Sequence, residues 1–175
     1  MNTTEQSSML RNFLNAKLEM YAVKINPSGW NILEIGIAGD EKPSGSYKFF
    51  GQGNNWTTMD IEPKWSPDIV ADIIDNDIPD NKYDLVIMTQ ALEHIWDYKK
   101  ALSEIYRITN KFAIVDCPFM YPFHQDVQRP RRWQDWDDYW RITPAGINRL
   151  LEEVGFNEID INFNDLVTLC VANKQ

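Results

Sequence analysis

Residues 32–40 read ILEIGIAGD, and residues 57–63 read TTMDIEP. The first stretch is an apolar run followed by a turn that contains Gly36 and Gly39, and the second is a short apolar run that reaches Asp60. Small turn residues let a backbone approach a ligand, and a carboxylate can accept two hydrogen bonds from a ribose diol. Taken singly, such glycines often only make a turn and such an aspartate often only caps one. Their order and spacing together predict a half-sheet that binds a nucleoside.

The composition indicates one globular domain. The chain has 175 residues, 43% of them hydrophobic, which is enough for a real core but not for a separate substrate domain. No run of about 18 apolar residues is present, so no membrane span is expected. The first residues, MNTTEQSSML, lack the layout of a secretory signal, which favours a cytoplasmic location, and Cys117 and Cys170 are predicted to be reduced and buried. The net charge of −9 repels polyanions, so duplex nucleic acid is not expected as a partner.

Apolar periodicity predicts an α/β fold. The predicted helices cover residues 4–22, 46–50, 98–108 and 144–154, and the predicted strands cover residues 31–35, 56–60, 69–71, 83–88, 112–116, 158–163 and 166–172. We expect no helix in Glu62–Asp68, which has two prolines, and a turn at Thr109–Lys111. The prediction is a single-domain, Rossmann-like, doubly wound sheet that is mostly parallel, with an antiparallel C-terminal hairpin and some shortened helices. We expect residues 1–29 to form an N-terminal helix and linker that packs on a core of residues 30–175.

Several ordered motifs between Trp30 and Phe156 resemble those of the class I S-adenosylmethionine-dependent methyltransferases, in their small-molecule, methyltransferase type 11-like branch. LEIGIAGD resembles the family's glycine motif, TTMDIEP the acidic end of its second strand, and VADIID the aspartate loop beside adenine. The most specific part is YDLVIMTQALEHIWD followed by KALSEIYRIT, which resembles the fourth strand, with its LEH triplet, and the following E-x-x-R helix. DYWRITPAGINRLLEEVGF resembles the last helix and its glycine turn.

The resemblance implies S-adenosylmethionine as the cofactor of residues 30–175 and no metal. It also implies which part of the cofactor each binding residue contacts. The implied residues are Glu34, Gly36 and Gly39 near the methionine part, Asp60 on the ribose, Ile61 against adenine, Asp72 accepting from the adenine amino group with Ile73 beside it, and Thr89 and Gln90 at the pocket floor.

The acceptor is predicted to be a small polar or sugar-like molecule, methylated at oxygen. The segment Phe119–Trp140 is rich in aromatic residues with interspersed acids, which suits a lid over a polyhydroxyl acceptor, although a hydrophobic cluster under a long loop explains it nearly as well. The two histidines are candidate general bases. His124, in the loop after the fifth strand, is the better candidate, and His94 is the weaker one because the family often has a structural histidine in the LEH triplet.

Two other functions remain open. A noncatalytic binding or partner protein fits the shortened helices and Asp40, an unusual residue near the methionine end of the ligand. A nicotinamide-dependent oxidoreductase shares the half-sheet, but Gly36-Ile37-Ala38-Gly39 does not supply the G-x-G-x-x-G phosphate loop. The N-terminal helix either covers the pocket or joins a homodimer.

Overall fold

A seven-stranded sheet forms the centre of the protein in a computed structural model that describes residues 3–37, 45–123 and 137–174. Its strands are β1 Asn31–Ile35, β2 Asn55–Asp60, β3 Ile69–Val70, β4 Tyr83–Met88, β5 Thr109–Pro118, β6 Glu158–Phe163 and β7 Val167–Asn173. The strand order is β3-β2-β1-β4-β5-β7-β6, in which β1 to β5 pair in parallel and β7 pairs antiparallel with both β5 and β6. The predicted mostly parallel sheet with an antiparallel C-terminal hairpin is confirmed.

Helices cover both faces of this sheet. They are α1 Thr3–Ile25, α2 Tyr47–Phe50, α3 Tyr98–Ile108 and α4 Pro144–Val154, with short 3-10 turns at Pro63–Trp65 and Leu92–His94. Side chains alternate between the two faces of a strand, so Leu85 packs in the cluster that includes α1, whereas Val86 packs in the cluster that includes α3 and α4. The sheet is therefore buried on both sides, which explains its nearly continuous apolar strands.

The inner face of α1 is apolar at helical spacing. Leu10, Leu14, Leu18 and Tyr21 are all buried and pack in the same cluster as the strands. None of the helices in the described ranges is both long and apolar enough to cross a membrane. The buried side of α1 therefore packs against one face of the sheet.

Two local predictions were wrong. Glu62–Asp68 contains the 3-10 turn Pro63–Trp65, because proline is tolerated at the first position of a helical turn, where its missing N–H has no partner to lose. Thr109–Lys111 is part of β5, and a register shift between the Tyr83 and Leu85 pairs accommodates the direct passage from α3 into the strand. The Thr109 hydroxyl closes this junction by donating to the Ile105 carbonyl at 2.6 Å.

The ends of α4 follow the predicted signals. The Thr143 hydroxyl accepts a hydrogen bond from the Gly146 N–H at 3.0 Å, with Pro144 at the first helical position. Gly155 ends the helix with a φ of +118°, and a Cβ built on it would lie 2.7 Å from Cζ of Tyr106 on α3. Glycine at this position therefore permits both the left-handed turn and the close approach of the two helices.

We predict that Gly155→Ala lowers the free energy of unfolding by about 2–4 kcal/mol, because it adds a clash with Tyr106 to the strain of a positive φ. Gly29→Ala is the matched control, since Gly29 has a φ of +70° but no neighbour within 4 Å. That variant should lose only about 1 kcal/mol. Urea unfolding of both variants measures the difference, and equal losses would show that the contact with Tyr106 is unimportant.

Candidate functional site

A cavity of about 220 Å³ opens at the carboxyl ends of the parallel strands. Gly36 follows β1, Asp60 ends β2, and Gln90 follows β4, and all three residues line this cavity. The order of the strands reverses between β1 and β4, so the chain connections leave this edge on opposite faces of the sheet. Such a switch point is where doubly wound sheets bind their ligands.

The Asp60 carboxylate at the cavity wall is buried, and the described residues satisfy one of its two oxygens. The residue is only 3% exposed, and its Oδ1 accepts a hydrogen bond from the Glu62 N–H at 2.8 Å. Oδ2 is buried and has no hydrogen-bond partner among the described residues. Burial raises the pKa of Asp60, against the opposing effect of the Glu62 and Ile37 backbone N–H groups. A ligand hydroxyl at this wall of the cavity would satisfy the remaining oxygen.

Gly36 lets the loops after β1 and β4 meet. Its φ is +79°, and a Cβ at this position would lie 2.6 Å from the Cβ of Ala91. Any larger residue would push these two loops apart. The close approach leaves bare backbone at the cavity wall.

Apolar side chains form another part of the cavity lining. Ile61 and Ile73 both line it, the first 44% exposed and the second buried. Asp72 adds a carboxylate, whose Oδ1 accepts a hydrogen bond from the Ile74 N–H at 3.1 Å. Apolar walls beside a carboxylate suit a planar base that carries an amino group.

Gln90 is held at the cavity floor by a buried acid. Its φ of +54° is unusual for a residue with a side chain. Its backbone N–H and its side-chain amide both donate to Oδ1 of Asp116 on β5, at 2.8 and 3.0 Å. Asp116 is fully buried, as is Glu93. Burial, together with the charge of Glu93, raises the pKa of Asp116 to about 8, and burial raises the pKa of Glu93 to about 7.

His94 also lines the cavity. Its Nδ1 lies 2.9 Å from the carbonyl oxygen of Asp137, and a carbonyl can only accept, so Nδ1 carries the proton. The nitrogen that can accept a proton is therefore Nε2, which lies 3.9 Å from Oε1 of Glu93. This geometry is that of a histidine oriented by one group and placed near a carboxylate.

Aromatic side chains form the rim of the cavity. Trp96 is 68% exposed, and its ring centroid lies 5.3 Å from those of both Tyr139 and Trp140. The Trp140 indole N–H donates to the Ile95 carbonyl at 3.0 Å, and the Tyr139 N–H donates to the Glu93 carbonyl at 2.9 Å. The rim is thus anchored to the segment that follows β4.

Most of the predicted site residues come together. The cavity is lined by Gly36, Asp60, Ile61, Asp72, Ile73, Gln90 and His94. Gly39 and His124 lie outside the described residues.

Two predicted residues do not line the cavity. Glu34 is buried and hydrogen-bonds to Ser46, and burial raises its pKa. Thr89 is also absent from the lining, where its neighbours Met88 and Gln90 are present, as expected when successive side chains alternate in direction.

Sequence reasoning missed other parts of the lining. Ala91, Ile95, Trp96 and Asp97 flank or follow the LEH triplet, so the exposed tryptophan beside that motif was a usable signal. Tyr139 is distant in sequence, and no local pattern connects it with β4.

The residues present fit the nucleoside part of S-adenosylmethionine. The Asp60 oxygen that has no partner among the described residues matches a ribose hydroxyl, and Gly36 brings bare backbone to the cavity wall. The acidic wall also suits a ligand that carries a positive sulfonium charge.

Comparisons with known proteins agree with this description. Residues 42–114 match the family described as "Methyltransferase domain". No curated protein matches the chain in sequence. Among solved structures, a methyltransferase from Archaeoglobus fulgidus that depends on S-adenosylmethionine aligns with a TM-score of 0.67 and 16% identity, over 94% of both chains.

Two larger proteins share the fold with part of their length. The CurJ carbon methyltransferase aligns with a TM-score of 0.67 and 17% identity, over 91% of this chain and 54% of that chain. A phosphoethanolamine N-methyltransferase from Haemonchus contortus, solved with S-adenosylhomocysteine, aligns with a TM-score of 0.66 and 14% identity, over 90% and 52%. This chain thus spans about half the length of these two proteins.

The matched methyltransferase domain and the shared architecture lead to one conclusion. The chain has the fold of the class I S-adenosylmethionine-dependent methyltransferases, and its residues 42–114 match a methyltransferase domain.

Proposed function

We propose that this methyltransferase transfers a methyl group to a hydroxyl of a small polar, sugar-like acceptor. The observation that carries the proposal is one cavity that combines the unpartnered oxygen of Asp60, the oriented imidazole of His94 and the exposed ring of Trp96. The first suits a cofactor ribose, the second suits proton removal, and the third suits the apolar face of a sugar ring.

The cofactor residues have distinct roles in this proposal. S-adenosylmethionine, when bound, supplies a methyl group that its sulfonium charge already activates. Asp60 accepts from the ribose hydroxyls through Oδ2, and Asp72 accepts from the adenine amino group, with Ile61 and Ile73 against the base. Gly36, which lets the loops after β1 and β4 meet, presents its backbone to the methionine part. The protein's remaining tasks are to align the acceptor and to exclude water.

Of the two candidate general bases, His94 is the one that lies within the described residues. Its Nε2 takes the proton of the acceptor hydroxyl, and the Glu93 carboxylate, 3.9 Å away, stabilises the resulting imidazolium when it is ionised. Trp96 and Tyr139 offer aromatic faces at the mouth of the same cavity. His124 remains the other candidate from the sequence.

A noncatalytic partner protein is the second candidate function. It is favoured by apolar side chains on the outer side of α1, where Met9, Met20 and Val23 are 44%, 42% and 77% exposed. The same side of α1 is where we would expect a homodimer to form.

Isothermal titration with S-adenosylmethionine, S-adenosylhomocysteine and NADH tests the cofactor class, and transfer of a radiolabelled methyl group to a panel of sugars and other polyols tests the acceptor. We expect both sulfur ligands to bind, NADH not to bind, and label to appear on a hydroxyl oxygen. If neither sulfur ligand binds, the noncatalytic function is favoured. If label appears only on amine or carbon acceptors, the proposed acceptor is wrong.

We predict that Asp60→Asn weakens S-adenosylmethionine binding by about 100-fold, because an amide nitrogen cannot accept from a ribose hydroxyl. The Asn carbonyl oxygen can still accept from the Glu62 N–H, so the fold should be kept. Asp77→Asn removes the same charge from an exposed loop position and is the matched control. If Asp60→Asn binds S-adenosylmethionine as tightly as the wild type does, Asp60 does not bind the ribose.

We predict that His94→Asn lowers kcat by at least about 100-fold while the affinity for S-adenosylmethionine stays within about twofold. The Asn amide can still donate to the Asp137 carbonyl but cannot serve as a base near pH 7. His124→Asn is measured in parallel on the identified acceptor. If His94→Asn keeps full turnover and His124→Asn loses it, His124 and not His94 is the general base.

The two buried acids make stability depend on pH. The pKa values of Asp116 and Glu93 are raised in the folded state to about 8 and about 7, so folding favours their protonated forms. Their contribution to stability is fully present below the unfolded values of 3.8 and 4.5 and is lost as the pH rises through 7 and 8. We predict that the free energy of unfolding falls between about pH 4 and pH 8 and that the contribution of these two groups changes little above pH 8.

Asp116→Asn should make this fall shallower, because one of the two groups no longer titrates while its oxygen can still accept from Gln90. Urea unfolding at several pH values measures the slope, with Asp77→Asn as the control. A slope identical to that of the wild type in Asp116→Asn would contradict the role of this carboxyl.

A further inference from the structure

We propose that Asn76 is a positioning residue for adenine recognition and that the E-x-x-R pair Glu104 and Arg107 holds it in place. The inference rests on the proposed function, since it takes Asp72 and Ile73 as the adenine-binding side of the cavity. Asn76, Glu104 and Arg107 act through the loop that carries those two residues.

Both polar atoms of the Asn76 side-chain amide form hydrogen bonds. Its Nδ2 donates to the Ile73 carbonyl at 2.7 Å and to Oε2 of Glu104 at 3.3 Å. Its Oδ1 accepts from the Ile78 N–H at 3.1 Å and from Nη2 of Arg107 at 3.2 Å. An amide offers two donor and two acceptor positions, and here all four are occupied. No other side chain of this length can make the same set of contacts.

Arg107 connects this amide to helix α3. Its Nε and Nη2 donate to Oε2 of Glu104 at 2.9 and 2.7 Å, one helical turn earlier. Its Nη1 donates to the Ile78 carbonyl at 2.5 Å and to Oδ1 of Asp80 at 2.8 Å. Charge-assisted bonds from a planar guanidinium fix orientation as well as distance. The loop is thereby attached to a helix whose Ile105 and Ile108 are fully buried in the core.

The loop needs such an anchor because its own strand is short. Strand β3 has two residues, and its pairing with β2 is limited to Met59 with Ile69 and Asp60 with Val70. After it, an isolated bridge between Asp72 and Asp75 and the Asp72 hydrogen bond to the Ile74 N–H shape the turn locally. Ile73 packs in the same apolar cluster as α3, and the bond from Asn76 to the Ile73 carbonyl adds a directional link between that turn and the helix. In this proposal, Asn76 fixes the Ile73 carbonyl and thereby sets the direction of the neighbouring Asp72 carboxylate.

The test uses S-adenosylhomocysteine and its inosine analogue, in which a carbonyl replaces the adenine amino group. Isothermal titration compares the wild type with Asn76→Asp, which keeps the acceptors and loses both donors. Asp80→Asn is the matched control, because Asp80 hydrogen-bonds to the same arginine and its side chain is 70% exposed. Asn76→Leu is a second, non-isosteric variant, and thermal melting checks that each variant is folded.

We expect the wild type and Asp80→Asn to prefer S-adenosylhomocysteine over the analogue. Asn76→Asp should bind S-adenosylhomocysteine about tenfold more weakly and lose most of this preference, since one lost hydrogen bond to a charged group has about this effect. Hydrogen exchange without ligand should be faster at residues 72–75 in Asn76→Asp and unchanged there in Asp80→Asn.

An equal loss of affinity for both ligands would overturn the inference, because a merely structural role gives that result. Wild-type affinity and preference in a folded Asn76→Asp would overturn it as well. In both cases the proposed function would stand, whereas failure of the wild type to bind S-adenosylhomocysteine would remove the proposed function and this inference together.

Discussion

The parallel pairing of β1 with β2 on one side and with β4 on the other is the constraint on which the site depends. Ile35 pairs with Met59 of β2 and with Met88 of β4, so these three strands end at the same level. Gly36, Asp60 and the turn at Gln90 consequently meet at one edge. A slip of one residue would send Asp60 to the other face of the sheet, because side chains alternate along a strand. The apolar faces on both sides, each covered by helices, set this register.

Several buried carboxyl groups lie at or near the cavity. Asp60, Glu93 and Asp116 are all buried, and burial raises the pKa of each. Such groups cost stability and are rarely kept in a core without a reason. Here they lie at or beside the candidate binding cavity, and the proposed cofactor carries a positive charge. Buried acids that break the usual rule of an apolar core are common at functional sites.

Much of the fold was predictable because its signals are local. Helix α4 matched its prediction at both ends, since Thr143 with Pro144 starts it and Gly155 stops it. Helix α3 and strands β1, β4 and β6 also have the predicted bounds. The start of β5 was missed because Thr109–Lys111 has turn-like residues, and only pairing with β4 draws it into the sheet. The turn at Pro63–Trp65 was missed because two prolines in the segment argued against any helical structure.

By itself, the sequence determined the order of the elements, the glycine turn at Gly36 and the acidic strand end at Asp60. These depend on periodicity and turn chemistry among neighbouring residues. Only the tertiary structure decided that Asp116 holds Gln90, that the Asp137 carbonyl orients His94, and that Arg107 supports Asn76, because these partners are 26, 43 and 31 positions apart. It also decided that Glu34 bonds to Ser46 and does not line the cavity. Contacts of this kind arise when packed layers bring distant segments together, and no local pattern along the chain records them.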